Sequence, residues 1–168
     1  AEAEWHFSGF QQDQTLKTIV RKGRNEWVDG HALHLPINSA SPNHVNWDTV
    51  CTVACAALTR GANEHITAFQ IHFDSDWAWN LDYTASHGTF TNLDMRSVAA
   101  HEWGHVVGLG HSTRGYGHDC ASGSGTMGTM AQGTAGCINN GHTEQRSISV
   151  KDEEGRCEIY SHAHGYSC

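Results

Sequence analysis

The stretch His101-Glu102-Trp103-Gly104-His105-Val106-Val107-Gly108-Leu109-Gly110-His111 decides how the rest of this chain is read. On an α-helix His101 and His105 sit at i and i+4, one turn apart on one face, so both imidazoles can reach a single metal ion. His111 could not join them on a continuing helix, because it would lie about 15 Å along the axis. The chain must therefore turn back after His105. Gly108 is placed to take the left-handed conformation that ends helices, and Gly110 adds freedom before His111. Three neutral imidazole nitrogens suit zinc and leave its fourth position open, as in a catalytic rather than a structural site. Glu102 lies about 100° around the helix from His101, where its carboxylate can touch a water in that position without displacing it. The spacing thus predicts one catalytic zinc on His101, His105 and His111, with Glu102 as general base. A bare H-E-x-x-H also occurs on ordinary polar helix faces, but the glycine and the third histidine in register are hard to produce by accident.

The chain has 168 residues, enough for one domain that buries about two thirds of its unfolded surface. Residues 1–168 are expected to form a single catalytic domain, with the Ala-Glu-Ala-Glu of residues 1–4 read as a spacer left by processing. Lys and Arg number 10 against 18 Asp and Glu, a net charge of −8 with neutral histidine. That balance argues against a nucleic acid or an anionic membrane as partner. No stretch approaches the roughly 20 apolar residues of a membrane span and no apolar signal region stands at the start, so a mature, soluble monomer is expected.

Six cysteines (Cys51, Cys55, Cys120, Cys137, Cys157 and Cys168) are an even number with no C-x-x-C pair. With histidines already supplying the metal ligands, they read as disulfides formed in an oxidising, extracellular compartment. Cys120 with Cys137 and Cys157 with Cys168 are reasonable pairs. Cys51 can then pair with Cys55 only if the backbone between them is turned or helical, since an extended strand would hold them about 13 Å apart.

Around this centre, Leu16, Ile19, Val20 and Trp27 share one face of a helix expected over about 11–28. Leu33, Leu35 and Ile37 alternate with polar neighbours and Pro36, a short strand pushed toward an edge or strand end. Residues 50–58 fit helix or strand, with Val50, Thr52 and Val53 favouring strand. Phe69, Ile71 and Phe73 alternate cleanly as a strand. Met95, Val98, Ala99, Val106 and the two histidines make a helix ending at Gly108. Residues 112–142, rich in Gly, Ser, Thr and Asn, read as an irregular lobe long enough to be functional. A final surface helix is expected over 149–160.

Several of these segments carry a resemblance. Asp94 to Glu102 and Gly108 to Ser112 resemble the active-site helix of the matrixin group of metzincin zinc endopeptidases and their bacterial secreted relatives. Ile71 to Trp77 resembles the matrixin strand that ends in an acidic turn, and Arg146 to Gly155 with Tyr160 resembles the family's C-terminal helix. The resemblance covers residues 66–160, and the first 60 residues carry little of it. It implies an α+β catalytic domain: a twisted, mostly parallel sheet with one antiparallel edge strand, an active-site helix and a C-terminal helix. The resemblance further implies a cleft along that edge and a methionine turn beneath the zinc. That methionine is Met130 or Met127, with Met130 favoured by its relation to the glycine and cysteine that follow; ordinary core packing is the plainer role for either.

There are departures. The insertion between His111 and the methionine is longer than in animal matrixins, and the loop of their structural zinc and most calcium ligands is missing. His72 resembles one ligand of that second zinc but has no identifiable partners, so it reads as a strand histidine. Asp74 and Asp76 are candidate calcium ligands, although two acidic residues in a turn are more often simply solvated.

The resemblance implies a secreted metalloprotease with protein or peptide substrates. Substrate would lie extended beside the edge strand, with a side-chain pocket walled by about residues 131–144. The alternative is a catalytically silent, zinc-containing module that binds peptides without cutting them. Glu102 argues against it, because binding alone has no use for a base beside the water. A disulfide-rich structural domain with a surface metal site leaves the register of Gly108 and His111 unexplained.

Overall fold

The computed structural model describes residues 4–10, 13–28, 35–62, 66–82, 92–111, 129–130, 146 and 148–164, with only the backbone for 161–164. Among the described residues the elements follow in the order β1 (His6–Ser8), α1 (Gln14–Val28), β2 (His44–Asp48), β3 (Ala54–Arg60), β4 (Ile66–Asp74), β5 (Trp79–Asn80), β6 (Leu93–Asp94), α2 (Met95–Val106) and α3 (Val150–His164). The main sheet has the order β1-β2-β4-β3, parallel except for β3, which runs antiparallel along the β4 edge. Two further short strands, β5 and β6, pair in parallel. This is the mixed architecture expected from the resemblance.

Alternation along the strands decides which face is packed. Val45, Phe69, Ile71 and Phe73 are buried and join one apolar cluster with Ile19 and Trp27 of α1 and Ala99 and Trp103 of α2. The two helices cross closely at Gly23, where a Cβ would stand 2.7 Å from the Ala99 Cβ and 2.7 Å from the Ala100 nitrogen. Trp27 seals the crossing, its Nε1–H donating to the Ala100 carbonyl at 2.7 Å. The helix that carries the histidines is thereby pinned to α1 on one side and to the sheet on the other.

Helix α1 starts at Gln14 rather than residue 11 because Asp13 caps it, accepting the Thr15 and Leu16 N–H groups at 2.8 and 3.1 Å. The strand expected around Leu35 shrinks to one parallel bridge between Ile37 and Trp5. Pro36 has no N–H to extend it; its carbonyl instead accepts the Trp5 N–H at 3.1 Å. Leu33 lies outside the described residues.

The ambiguous 50–58 segment divides. Asp48 accepts the Val50 N–H at 3.1 Å and bends the chain, and strand β3 begins only at Ala54. That bend meets the condition for pairing: Cys51 and Cys55 form a disulfide with their Cα atoms 6.1 Å apart. Cys157 is also disulfide-bonded, while Cys120, Cys137 and Cys168 lie outside the described residues, as do Met127, the 131–144 segment and all of the 112–142 lobe except Thr129 and Met130.

Both functional helices have built starts. Asp94 caps α2, accepting the Ser97 N–H at 2.9 Å and the Ser97 hydroxyl at 2.7 Å. Arg146 is buried against the same carboxylate at 2.9 and 2.6 Å and also donates to the Asp82 carbonyl. Helix α3 opens on a reciprocal cap in which Ser149 N–H donates to Asp152 and Asp152 N–H donates to the Ser149 hydroxyl, both at 3.2 Å. Among the described residues no helix is long and apolar enough to cross a membrane.

Candidate metal centre

His101 and His105 project from one face of α2, and the chain then reverses. The Gly108 and Leu109 N–H groups donate to the His105 and Gly104 carbonyls at 2.9 and 3.0 Å, and Gly108 takes φ +98°. An L side chain adopts that conformation only under strain. Gly110 is not left-handed, and a Cβ on it would meet nothing within 4 Å. The left-handed turn rests on Gly108, the glycine to which the sequence assigned it.

The reversal brings His111 Nε2 to 3.1 Å from His101 Nε2 and 3.2 Å from His105 Nε2. Ligands at about 2.05 Å on a tetrahedral zinc are separated by about 3.3 Å, so the three nitrogens stand almost where one ion would hold them. The rings are oriented from behind. His101 Nδ1–H donates to the Thr129 carbonyl at 2.7 Å, and His105 Nδ1–H to the Leu109 carbonyl at 2.8 Å. Each bond fixes the tautomer that leaves the Nε2 lone pair for metal. Burial holds the His101 pKa down at about 4 against the opposing pull of the Thr129 carbonyl, and burial also lowers that of His105. Both rings are thus neutral and ready to ligate near neutral pH. Among the described residues this is the only group of three or more His, Cys, Asp or Glu side chains that could hold a metal ion.

Glu102, between the two helical histidines, is 6% exposed. Burial pushes its pKa up to about 7, with the Ala56 N–H of β3 pulling the other way. Its Oε2 is buried with no hydrogen-bond partner among the described residues. An orphaned carboxylate oxygen is costly to keep and marks a place for a group from outside the chain.

Met130 lies beneath the centre, 2% exposed, and a Cβ on Gly104 would overlap its sulfur. Glycine at position 104 thus lets the methionine reach the underside of the helix between the two histidines. The Thr129 and Met130 N–H groups donate to Asp152 of α3 at 2.7 and 3.4 Å. Asp152 was not expected from the sequence: Ser149 and Asp152 together signal a helix cap, but nothing local shows that the same carboxylate also holds a segment 22 residues upstream.

The remaining candidates are accounted for by local structure. Asp74 accepts the Asp76 N–H at 2.9 Å within a turn. His72 is paired through Nδ1 with Asp48 at 2.8 Å, as a strand histidine with a partner on the neighbouring strand. Replacing His111 by Ala should lower zinc affinity by more than the roughly 10–100-fold typical of losing an outer partner, measured by competition with a chromophoric chelator; an unchanged affinity would remove His111 from the ligand set.

A three-histidine metal centre on a helix that ends in a left-handed glycine, beneath an antiparallel edge strand, defines a matrixin-like site of the metzincin kind. Residues 39–116 match the matrixin family, a span that holds β2 to α2 and all three histidines. Matrix metalloproteinase-17 of Homo sapiens is 45% identical over 47 residues, covering 28% of this chain and 7% of that protein. Matrix metalloproteinase-25 of Homo sapiens is 29% identical over 100 residues, covering 60% of this chain and 15% of that protein. Metalloendoproteinase 4-MMP of Arabidopsis thaliana is 41% identical over 44 residues, covering 26% and 13%. The chain thus spans no more than 15% of the length of these curated relatives. The solved structure of myroilysin superposes with a TM-score of 0.54 over 95% of this chain and 92% of that one, at 13% identity, a likeness of fold. The chain is thus similar in sequence to the matrixins over residues 39–116 and in fold to myroilysin.

Proposed function

We propose that this chain is the single catalytic domain of a secreted, zinc-dependent endopeptidase that hydrolyses peptide bonds with Glu102 as general base. The observation that carries the reading is the convergence of the His101, His105 and His111 Nε2 atoms within 4.8 Å of one another, with Glu102 set between two of them on the same helix. Bound zinc would supply Lewis acidity, polarising the scissile carbonyl and acidifying a water beside it. Glu102 accepts the proton of the attacking water at Oε2 and returns it to the leaving amine; a pKa of about 7 suits it to both steps near neutrality. The Thr129 and Leu109 carbonyls keep the imidazoles in register throughout, and Met130 supplies the methionine turn.

Substrate lies extended along β3, whose far side is a sheet edge among the described residues and can offer backbone groups to a peptide. The disulfides at Cys51–Cys55 and at Cys157 support an extracellular location.

Denatured casein at neutral pH, with and without a zinc chelator and with zinc added back, tests the proposal. Cleavage that chelation abolishes and zinc restores is the expected result. Cleavage indifferent to chelation would overturn it, and no cleavage of casein or a peptide library by folded, zinc-loaded protein would leave the peptide-binding module.

A further inference from the structure

We propose that His6 and His44 form a second metal site, a two-histidine clasp for a late first-row divalent cation such as Zn2+ or Cu2+, on the sheet face turned away from α1 and α2. The two residues are register partners on the adjacent parallel strands β1 and β2. Their neighbours fix the face: Val45 is fully buried in the core, and Phe7 packs against that core beneath Lys17 and Arg21 of α1. Successive side chains on a strand point to opposite sides, so His6 and His44 share the other face. Both are half-buried and within reach of solvent.

Their rings stand 4.2 Å apart between centroids, tilted by 53°. The three imidazoles of the catalytic centre, already arranged for one ion, are separated by 4.8, 5.1 and 4.7 Å at tilts from 31° to 87°. The β1–β2 pair thus needs only a small opening to bring two nitrogens onto a common ion. Neither ring has a hydrogen-bond or ion-pair partner among the described residues, and His6 Nδ1 is buried without one. Burial and the neighbouring His6 both lower the His44 pKa, which keeps that imidazole neutral and able to donate a lone pair. Gln70, the register partner of His44 on β4, continues the row with a neutral oxygen donor. Imidazole is a preferred ligand of zinc, copper and nickel, whereas calcium and magnesium want oxygen. With two protein imidazoles and water completing the shell, the site is weaker than the catalytic centre and exchanges its ion readily. Occupied, it ties the three-residue strand β1 to β2.

Calorimetric titration of the zinc-loaded protein with further Zn2+ should show a second binding event with a matching rise in Tm. His6→Ala and His44→Ala should each abolish that event while the first zinc and casein cleavage remain. His111→Ala, which damages the catalytic centre, should retain it. If an alanine variant misfolds, His44→Gln preserves a polar strand residue and must still lose the event, and Cu2+ added to the wild type must give the visible band of nitrogen ligation. No second event up to millimolar zinc, or one that survives in both histidine variants, would overturn the proposal. Since the site uses no residue of the catalytic centre, its failure leaves the endopeptidase reading untouched.

Discussion

Glu102→Gln should lower casein cleavage by about 10²–10⁴-fold, the usual contribution of a positioned general base, with zinc content unchanged. Glutamine keeps the shape of the side chain and can still accept the Ala56 N–H, but it cannot take a proton from water. Substantial residual cleavage in the zinc-loaded variant would remove Glu102 as the base.

The same substitution has a second signature in the metal-free protein. The Glu102 carboxyl has a pKa of about 7 in the fold against an ordinary value of 4.5, so the folded state keeps a proton that the unfolded chain has lost. The resulting stability is complete below 4.5 and is lost as pH rises through 7, where burying the charge costs on the order of 3 kcal/mol. Glutamine has no such dependence. The urea midpoint of the variant should therefore exceed that of the wild type at about pH 8, and the gap should close by about pH 4.5. His101 acts on the acid side. Its pKa is held at about 4 against 6.5, so its contribution is complete above 6.5 and is lost as pH falls toward 4. In the wild type the two groups oppose each other between 4.5 and 6.5; in the variant the histidine loss stands alone, and stability should fall continuously across that interval. Equal midpoints at about pH 8 would mean that Glu102 is not buried as a charge.

What could be read from the sequence and what could not divide along a physical line. The His101 to His111 spacing, the left-handed Gly108 and the alternation of Phe69, Ile71 and Phe73 are local: helical rise, strand period and the steric freedom of one glycine determine them. The start of α1 at Gln14 was missed by three residues because the aspartate cap at Asp13 competes with the apolar pattern for the boundary. The 50–58 segment resisted because it divides between a local Asp48 bend and a strand, β3, that is set by its pairing with β4. The buried clamp of Arg146 on Asp94 spans 52 residues and leaves no periodic trace. Asp152 is the sharpest case, since a residue that looks like a helix cap also reaches the candidate ligand His101 through two intermediaries, the N–H of Thr129 and its carbonyl.

Asp152→Ala should therefore do two things at once. Asp152 is 5% exposed and accepts the Thr129 N–H and the Ser149 hydroxyl at 2.7 Å each. Removing it leaves buried donors unsatisfied at about 1–3 kcal/mol each, so the metal-free protein should lose several kcal/mol in urea unfolding. The α3 cap goes with it, but a cap alone is worth only about 1 kcal/mol, and a loss of that size would confine Asp152 to the helix. The second effect runs through the metal. Without the anchor, Thr129 no longer holds its carbonyl 2.7 Å from His101 Nδ1, and the ring is freer to rotate or change tautomer. Zinc affinity should fall by about 10–100-fold, as when an outer hydrogen-bond partner of a metal ligand is lost. Asp152→Asn separates the contributions, because its carbonyl oxygen can still accept the Thr129 N–H while the charge is gone. Recovery of zinc affinity in Asp152→Asn, measured by competition with a chromophoric chelator, would assign the effect to the hydrogen bond that positions the turn. Wild-type affinity in Asp152→Ala would break the chain of bonds from α3 to the metal centre and leave His101 oriented by the rest of its packing on α2.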